Sequence, residues 1–216
     1  MPCRGRPVIV WLAITFVSIA HGTQSSGTDL RSTSHAYERP NHAEHAKMAR
    51  WLIAENDWGT VSTTSQHLAG TAFGNLVSYA DGPRGNSTGR LLFYLTPMDA
   101  TATDLAVNSA ATLTVGEVQL AGSCGVMDPE DPTCAKVSIS GQMRIVPGED
   151  VAEAEQLLFR RHPQMKTWPK GHSFSIWELH VQEARLLDFY GGAATVLPEE
   201  YFAAELQRRT DGIAQS

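Results

Sequence analysis

The longest apolar run in this 216-residue chain extends from Val8 to Ala20 and is broken by Thr15 and Ser18. It falls short of the roughly 20 apolar residues that a membrane-spanning helix needs. No later stretch comes closer, which argues against membrane insertion of the mature chain. Cations are also scarce: 17 Lys and Arg stand against 23 Asp and Glu, for a net charge of −6. That balance argues against nucleic acid as a partner, because neutralising phosphates takes clustered Lys and Arg. The chain has three cysteines and no second Cys or His pair beside them at ligand spacing, so a structural zinc module fits poorly. No internal repeat is present. The composition is average for a globular protein, with room for the core of a single domain.

What is present begins with an address. Arg4 and Arg6 precede the apolar run, and the small residues Ala20 and Gly22 flank His21, the pattern a signal peptidase accepts. We expect residues 1–22 to be a signal peptide, cleaved after Gly22, and the mature protein to be secreted. Residues 23–40, polar and rich in Ser and Thr, read as a flexible leader. Residues 41–207 read as the folded domain and 208–216 as a flexible tail. Cys3 leaves with the signal peptide. Cys124 and Cys134 remain, separated by a turn-rich loop, as an even pair in an oxidising compartment. A bridge between them would add roughly 3 kcal/mol on the chain-entropy model; the alternative is two free buried thiols.

Asn41 is expected to open a helix reaching Glu55, with Glu44 completing a capping-box-like pair and Ala46, Ala49, Leu52 and Ile53 on its inward face. Strands rich in β-branched and aromatic residues follow over Val61–Thr64, Phe73–Ala80, Leu91–Leu95, Ala111–Val115 and Lys136–Val146. Asp81-Gly82-Pro83-Arg84-Gly85-Asn86 is a turn. A short helical turn is expected between Pro97 and Leu105, and a second helix over Glu149–Arg161. Phe174–Val181 and Ala184–Phe189 read as two last strands, and Pro198 starts a terminal helix reaching about Arg208. Many short strands, few helices and no βαβ alternation argue an antiparallel barrel with peripheral helices.

Catalytic constellations are thin. His42 and His45, one helical turn apart around Glu44, fit a solvated helix face better than a metal site. His162 and His172 bracket Met165–Trp168 and are candidate pH-sensitive groups for an acidic compartment, since histidine as a residue type changes charge between pH 5 and 8; a satisfied structural histidine is the commoner outcome. Ser and His residues occur without a nucleophile elbow.

Longer motifs carry a resemblance. Arg161-His162-Pro163-Gln164-Met165-Lys166-Thr167-Trp168-Pro169 resembles the central motif of the CREG family of secreted glycoproteins. Leu187-Asp188-Phe189-Tyr190-Gly191-Gly192, followed by Val196-Leu197-Pro198-Glu199-Glu200-Tyr201, is similar to that family's carboxy-terminal motif. Asp57-Trp58-Gly59 and Tyr79-Ala80-Asp81-Gly82-Pro83 match earlier landmarks, and Asp128-Pro129, Pro132 and Cys134 match its disulfide-loop pattern. The resemblance implies a split antiparallel β-barrel, the FMN-binding fold of the pyridoxamine phosphate oxidases. It further implies a homodimer, residence outside cells and in the endosomal–lysosomal system, a role in growth and differentiation control, and no enzymatic activity. Some members bind the mannose-6-phosphate receptor, so a cell-surface or mannose-6-phosphate-type receptor is an implied partner.

Flavin-using split barrels grip the cofactor's phosphate with cations from the second and third strands and the segment after them. Here residues 61–81 and 91–135 contain no Lys or Arg. Thr63, Thr64 and Ser78 offer only hydroxyls, and Arg90 sits in the hairpin connection. We therefore expect no cofactor, with a flavin-dependent oxidoreductase using FMN as the alternative. Haem-degrading split barrels place a histidine after the third strand or in a tail, and Thr96–Asn108 has none. In the CREG family a loop obstructs the flavin cleft. The matching residues are Asp128, Pro129, Glu130 and Asp131, a cleft-filling or receptor-contacting loop whose acids would repel a phosphate.

Two further expectations follow. Asn86-Ser87-Thr88 is an N-glycosylation acceptor in a Gly-rich turn. Leu91-Leu92-Phe93-Tyr94-Leu95 is apolar on both faces, and a second copy of the chain is expected to cover one of them, the alternative cover being the helix at Asn41–Glu55 of the same chain.

Overall fold

The computed structural model of the chain describes residues 35–210. The predicted signal peptide, most of the leader and residues 211–216 lie outside the described residues. Among the described residues no helix is long and apolar enough to cross a membrane.

Burial alternates residue by residue along most of the strands, so one face of the sheet turns inward. The strands are β1 (Trp58–Thr64), β2 (Ala72–Ala80), β3 (Leu92–Leu95), β4 (Ala110–Gly116), β5 (Lys136–Ile145), β6 (Ser175–Leu187) and β7 (Ala194–Val196). Their order is β3-β2-β1-β4-β5-β6-β7, and β3 also pairs with β6. Six antiparallel strands thus form a closed barrel, with β7 appended to β6. The fold is the split barrel of the pyridoxamine phosphate oxidase-like proteins.

Inward residues Val61, Val77, Phe93, Leu113, Ile139 and Leu179 fill the barrel. Helix α1 (His45–Glu55) joins the same core and is buried on all sides from Met48 onward. Helix α2 (Ala100–Val107) adds Ala102 and Leu105 from the β1 side. A second core lies outside the barrel. There α3 (Val151–Arg161) sets Ala154 and Leu158 on Leu92, Ala80 and Ile176, and Met165 joins them from the segment after α3. The short α4 (Pro198–Ala203) buries Tyr201 beside α1.

Several sequence expectations are corrected. Helix α1 starts at His45, not Asn41. The Asn41 carboxamide accepts from the Ala43 amide at 2.9 Å, and Glu44 reaches back to the Asn41 amide at 3.3 Å. The expected pair therefore forms, but it closes a turn ahead of the helix. The two last strands are one, β6, whose register against β5 shifts between Ser140 and Gly141. Gly141 permits the bulge, since a Cβ there would meet the His180 carbonyl oxygen at 2.0 Å. Helix α4 stops at Ala203, and extended chain follows to a bridge between Arg208 and Tyr37. Tyr37 is 5 % exposed, so ordered contacts begin before residue 41 and continue past 207. Finally, Leu91, Phe93 and Leu95 face the barrel interior while Leu92 and Tyr94 meet α3. This chain covers both faces of β3 by itself, and that strand no longer argues for a partner.

Candidate functional site

Residues of four of the motifs converge on one buried polar cluster. Arg161, at the end of α3, has a side chain only 2 % exposed; it donates to Asp81 at 2.8 Å and to Asp57 at 3.2 Å. It also donates to the carbonyls of Ala54 and Gly82. Arg84 pairs with Asp57 from the solvent side. Asp81 accepts from the Ser87 hydroxyl. Burial pushes the Asp81 carboxyl above the usual range, while Arg161 and Ser87 act in the opposite direction. Next in sequence, buried His162 donates from Nε2 to the Tyr79 carbonyl at 2.7 Å, and burial pulls its pKa down.

Arg50 brings the chain ends into the same cluster. It donates to Ser87 Oγ at 3.0 Å and to the carbonyls of Tyr201 and Ala204, and it lies over the Tyr201 ring. Gly89, at φ +80°, lets the backbone approach; a Cβ there would stand 3.0 Å from the guanidinium. Tyr37 closes the cluster by accepting from the Ser87 amide through its hydroxyl. The acids here are matched by cations and hydroxyls, and the cluster ties α1, α3, α4 and the β2–β3 connection together.

The disulfide loop extends the β4–β5 hairpin, and Cys124 and Cys134 are bonded. Glu117 anchors it by accepting from Arg39, Ser123 and the Ala135 amide. Burial raises the Glu117 pKa, but the bonds from Arg39 and Ser123 outweigh it and hold the carboxylate below its usual value. Asp128, Pro129 and Glu130 are exposed and Asp131 is half-buried. Their acids serve local turns: Asp128 accepts from the Glu130 amide and Asp131 from Thr133. Lys136 holds the Pro129 and Glu130 carbonyls. Ahead of the acids stand Val126, fully exposed, and Met127.

The segment after β3, where a flavin protein would place cations, holds an acid. Asp99 caps α2 by accepting from the Thr101 amide at 2.7 Å, and Asn75 on β2 donates to both its carboxylate oxygens at 3.1 Å. Thr63 is committed to buried Asp104 at 2.7 Å and Thr64 to Asn108. Arg90 is held by Glu178 through two bonds of 2.8 Å. An open groove of about 640 Å³ lies between α2 and the ends of β5 and β6, walled by Leu105, Met143, Ile145 and Trp177. Arg144 is its one ionisable lining residue, which leaves it without an acid–base pair. No metal-holding cluster of His, Cys, Asp or Glu occurs among the described residues.

The loop and the α2 end do not meet within one chain. Gln119 beside the loop donates to the Trp58 carbonyl at the start of β1, whereas α2 reaches Thr63 and Thr64 at its end. The rise of a strand separates the two ends by roughly 20 Å. Asn86 is exposed at the tip of the β2–β3 connection. The Asp57–Asp81–Arg161 cluster and Asp99 are what sequence reasoning missed. The cluster's signal is present in the motifs, while Asp99 lies in a segment whose sequence reading turned on a helical turn and on missing cations and histidine.

Comparison with known proteins decides the family. A family model described as CREG, beta-barrel matches residues 40–203. This chain belongs to the CREG family. It is 36% identical over 178 residues to Protein CREG2 of Mus musculus, covering 81% of this chain and 62% of that protein. Against Protein CREG1 of Homo sapiens it is 34% identical over 172 residues, 78% of each. The chain thus spans about three fifths of the length of the CREG2 relative. Among solved structures, a heme binding protein from Mycobacterium smegmatis superposes with a TM-score of 0.62 at 23% identity, over 78% of this chain and 62% of that one. That similarity concerns the fold. The CREG motifs quoted above all fall within 40–203, and four of them supply Asp57, Asp81, Arg161 and Tyr201 to the polar cluster.

Proposed function

We propose that this CREG-family chain is a secreted, non-enzymatic glycoprotein acting as an extracellular or lysosomal ligand in growth and differentiation control, on a barrel that no longer binds flavin. The observation that carries the loss of flavin is Asp99. It stands at the α2 amino end, where a cofactor phosphate would need positive charge, and it consumes the first-turn donor itself. Arg90, beyond the other end of β3, is committed to Glu178. A dianion brought to the α2 amino end would meet the Asp99 carboxylate first, with Arg144 in the adjoining groove as the one lining cation.

Ligand action is assigned to the disulfide loop. Val126, Met127 and the acids 128–131 form an exposed tip on a base braced by a disulfide and by Glu117, which suits contact with a receptor, including one of mannose-6-phosphate type. Absorbance of the purified secreted protein tests the flavin claim. We expect no band near the flavin maxima and no quenching of added FMN below millimolar concentration. Stoichiometric yellow cofactor after mild purification would overturn it in favour of a flavin-dependent oxidoreductase.

A further inference from the structure

We infer that Asn86 accepts an N-linked glycan only before residues 81–90 fold, and that the folded loop then carries the glycan without rearrangement. The inference rests on the reading above that the chain enters the secretory pathway. The acceptor triplet requires a hydroxyl at its third position, so the transferring enzyme must engage that hydroxyl along with the asparagine. Here the Thr88 hydroxyl donates to the Asp81 carbonyl at 2.6 Å, and the Thr88 amide donates to the same oxygen at 2.7 Å. Ser87 between them is held at its amide by Tyr37, at its hydroxyl by Asp81 and Arg50, and at its carbonyl by Arg50. The triplet's backbone is thus fastened to the polar cluster on one side.

Asn86 itself points the other way. It is exposed, and its carboxamide oxygen has a 3.5 Å contact with Arg208. In the transfer, Asn86 Nδ2 bonds to the anomeric carbon of a polyprenyl-diphosphate-linked oligosaccharide. The carbon–oxygen bond to the diphosphate breaks, its electron pair leaves with the diphosphate, and one amide proton passes to a base. The product keeps one N–H and the carboxamide oxygen, so nothing bonded inside the cluster changes.

The test uses the full chain made without glycans and folded with its disulfide closed. It is given purified oligosaccharyltransferase and lipid-linked oligosaccharide, beside the same chain reduced, unfolded in urea and rapidly diluted. We expect the diluted chain to be modified at least tenfold faster than the folded one, and Asn86→Gln to abolish the product. Ser87→Ala, which keeps an acceptor triplet but removes the hydroxyl bonds, should speed modification of the folded chain. Equal rates for folded and unfolded chains would overturn the order of events. No product from the unfolded chain would overturn the acceptor, whichever way the flavin measurement falls.

Discussion

Removing the Arg161 side chain would leave the Asp81 carboxylate in a site that is 0 % exposed with its principal cation gone. Truncating one member of such a buried pair costs about 3–5 kcal/mol, and Arg161→Met is expected to lie in that range by urea denaturation. A loss below about 1 kcal/mol would place the cluster among ordinary surface pairs. His162 adds a pH dependence whose sign is fixed. In the unfolded chain its ring takes a proton near pH 6.5; in the fold, burial holds the pKa lower, against the pull of the Tyr79 carbonyl. The unfolded state therefore binds more protons as pH falls below about 6.5, and stability is lost by up to about 1.4 kcal/mol per pH unit. Asp81 works the other way: its carboxyl, raised by burial, adds stability as pH falls through its folded value toward the unfolded value of 3.8. Urea midpoints at pH 7 and 5.5 should therefore drop for the native protein and drop less for His162→Gln. Equal slopes would remove His162 from the account.

At the scale of elements, most strands are legible in the sequence because burial alternates along them, and α3 because its acids, apolar stripe and Pro163 mark its ends. What was not legible depends on partners distant in the chain. Gln182 and Glu183 read as a break in β6, yet the strand runs through them, since Gly141 on β5 absorbs the extra residue. Gly141→Ala is accordingly expected to cost on the order of 3 kcal/mol, measured by thermal or urea unfolding, because its Cβ would overlap backbone rather than a movable side chain. The apolar pair of faces on β3 was legible, but not that α3 covers the outer one; periodicity shows that a face is buried and not by what. The disulfide loop behaves as an element of its own. Replacing Cys124 and Cys134 by Ser should cost about 3 kcal/mol for a closure of this length, and Glu117 should keep the base of the loop attached to Arg39.

For the molecule as a whole, the outward surface of the barrel divides by charge. On β5 the outward Ser138 and Ser140 lie between outward Lys136 and Arg144, while along β1, β2 and β4 the outward positions are Trp58, Thr60, Ser62, Thr64, Gly74, Leu76, Ser78, Thr112 and Thr114. None of the latter is charged, and the hydroxyls pair across strands, Thr112 with Ser140 and Thr114 with Ser138, each at 2.9 Å. On β6 the outward positions include Glu178, His180 and Arg185. Solvent-facing sheets ordinarily carry charge, and an uncharged face with Leu76 at 66 % and Trp58 at 44 % exposure suits close approach of a second surface. We propose a second copy of the chain on this face. A two-fold axis through it would exchange the ends of β1 and bring Asp128–Asp131 of one copy toward the α2 end of the other, the juxtaposition that one chain alone does not achieve. Light scattering behind a sizing column should give twice the chain mass at micromolar concentration. Ser62→Arg, placed in the middle of the face, should give the single-chain mass with an unchanged far-ultraviolet spectrum, while His180→Lys on β6 should leave the dimer intact. A native protein of single-chain mass would remove the dimer and, with it, any role for the acidic loop in a partner's cleft. A Ser62→Arg variant that stays dimeric would move the interface elsewhere on the barrel.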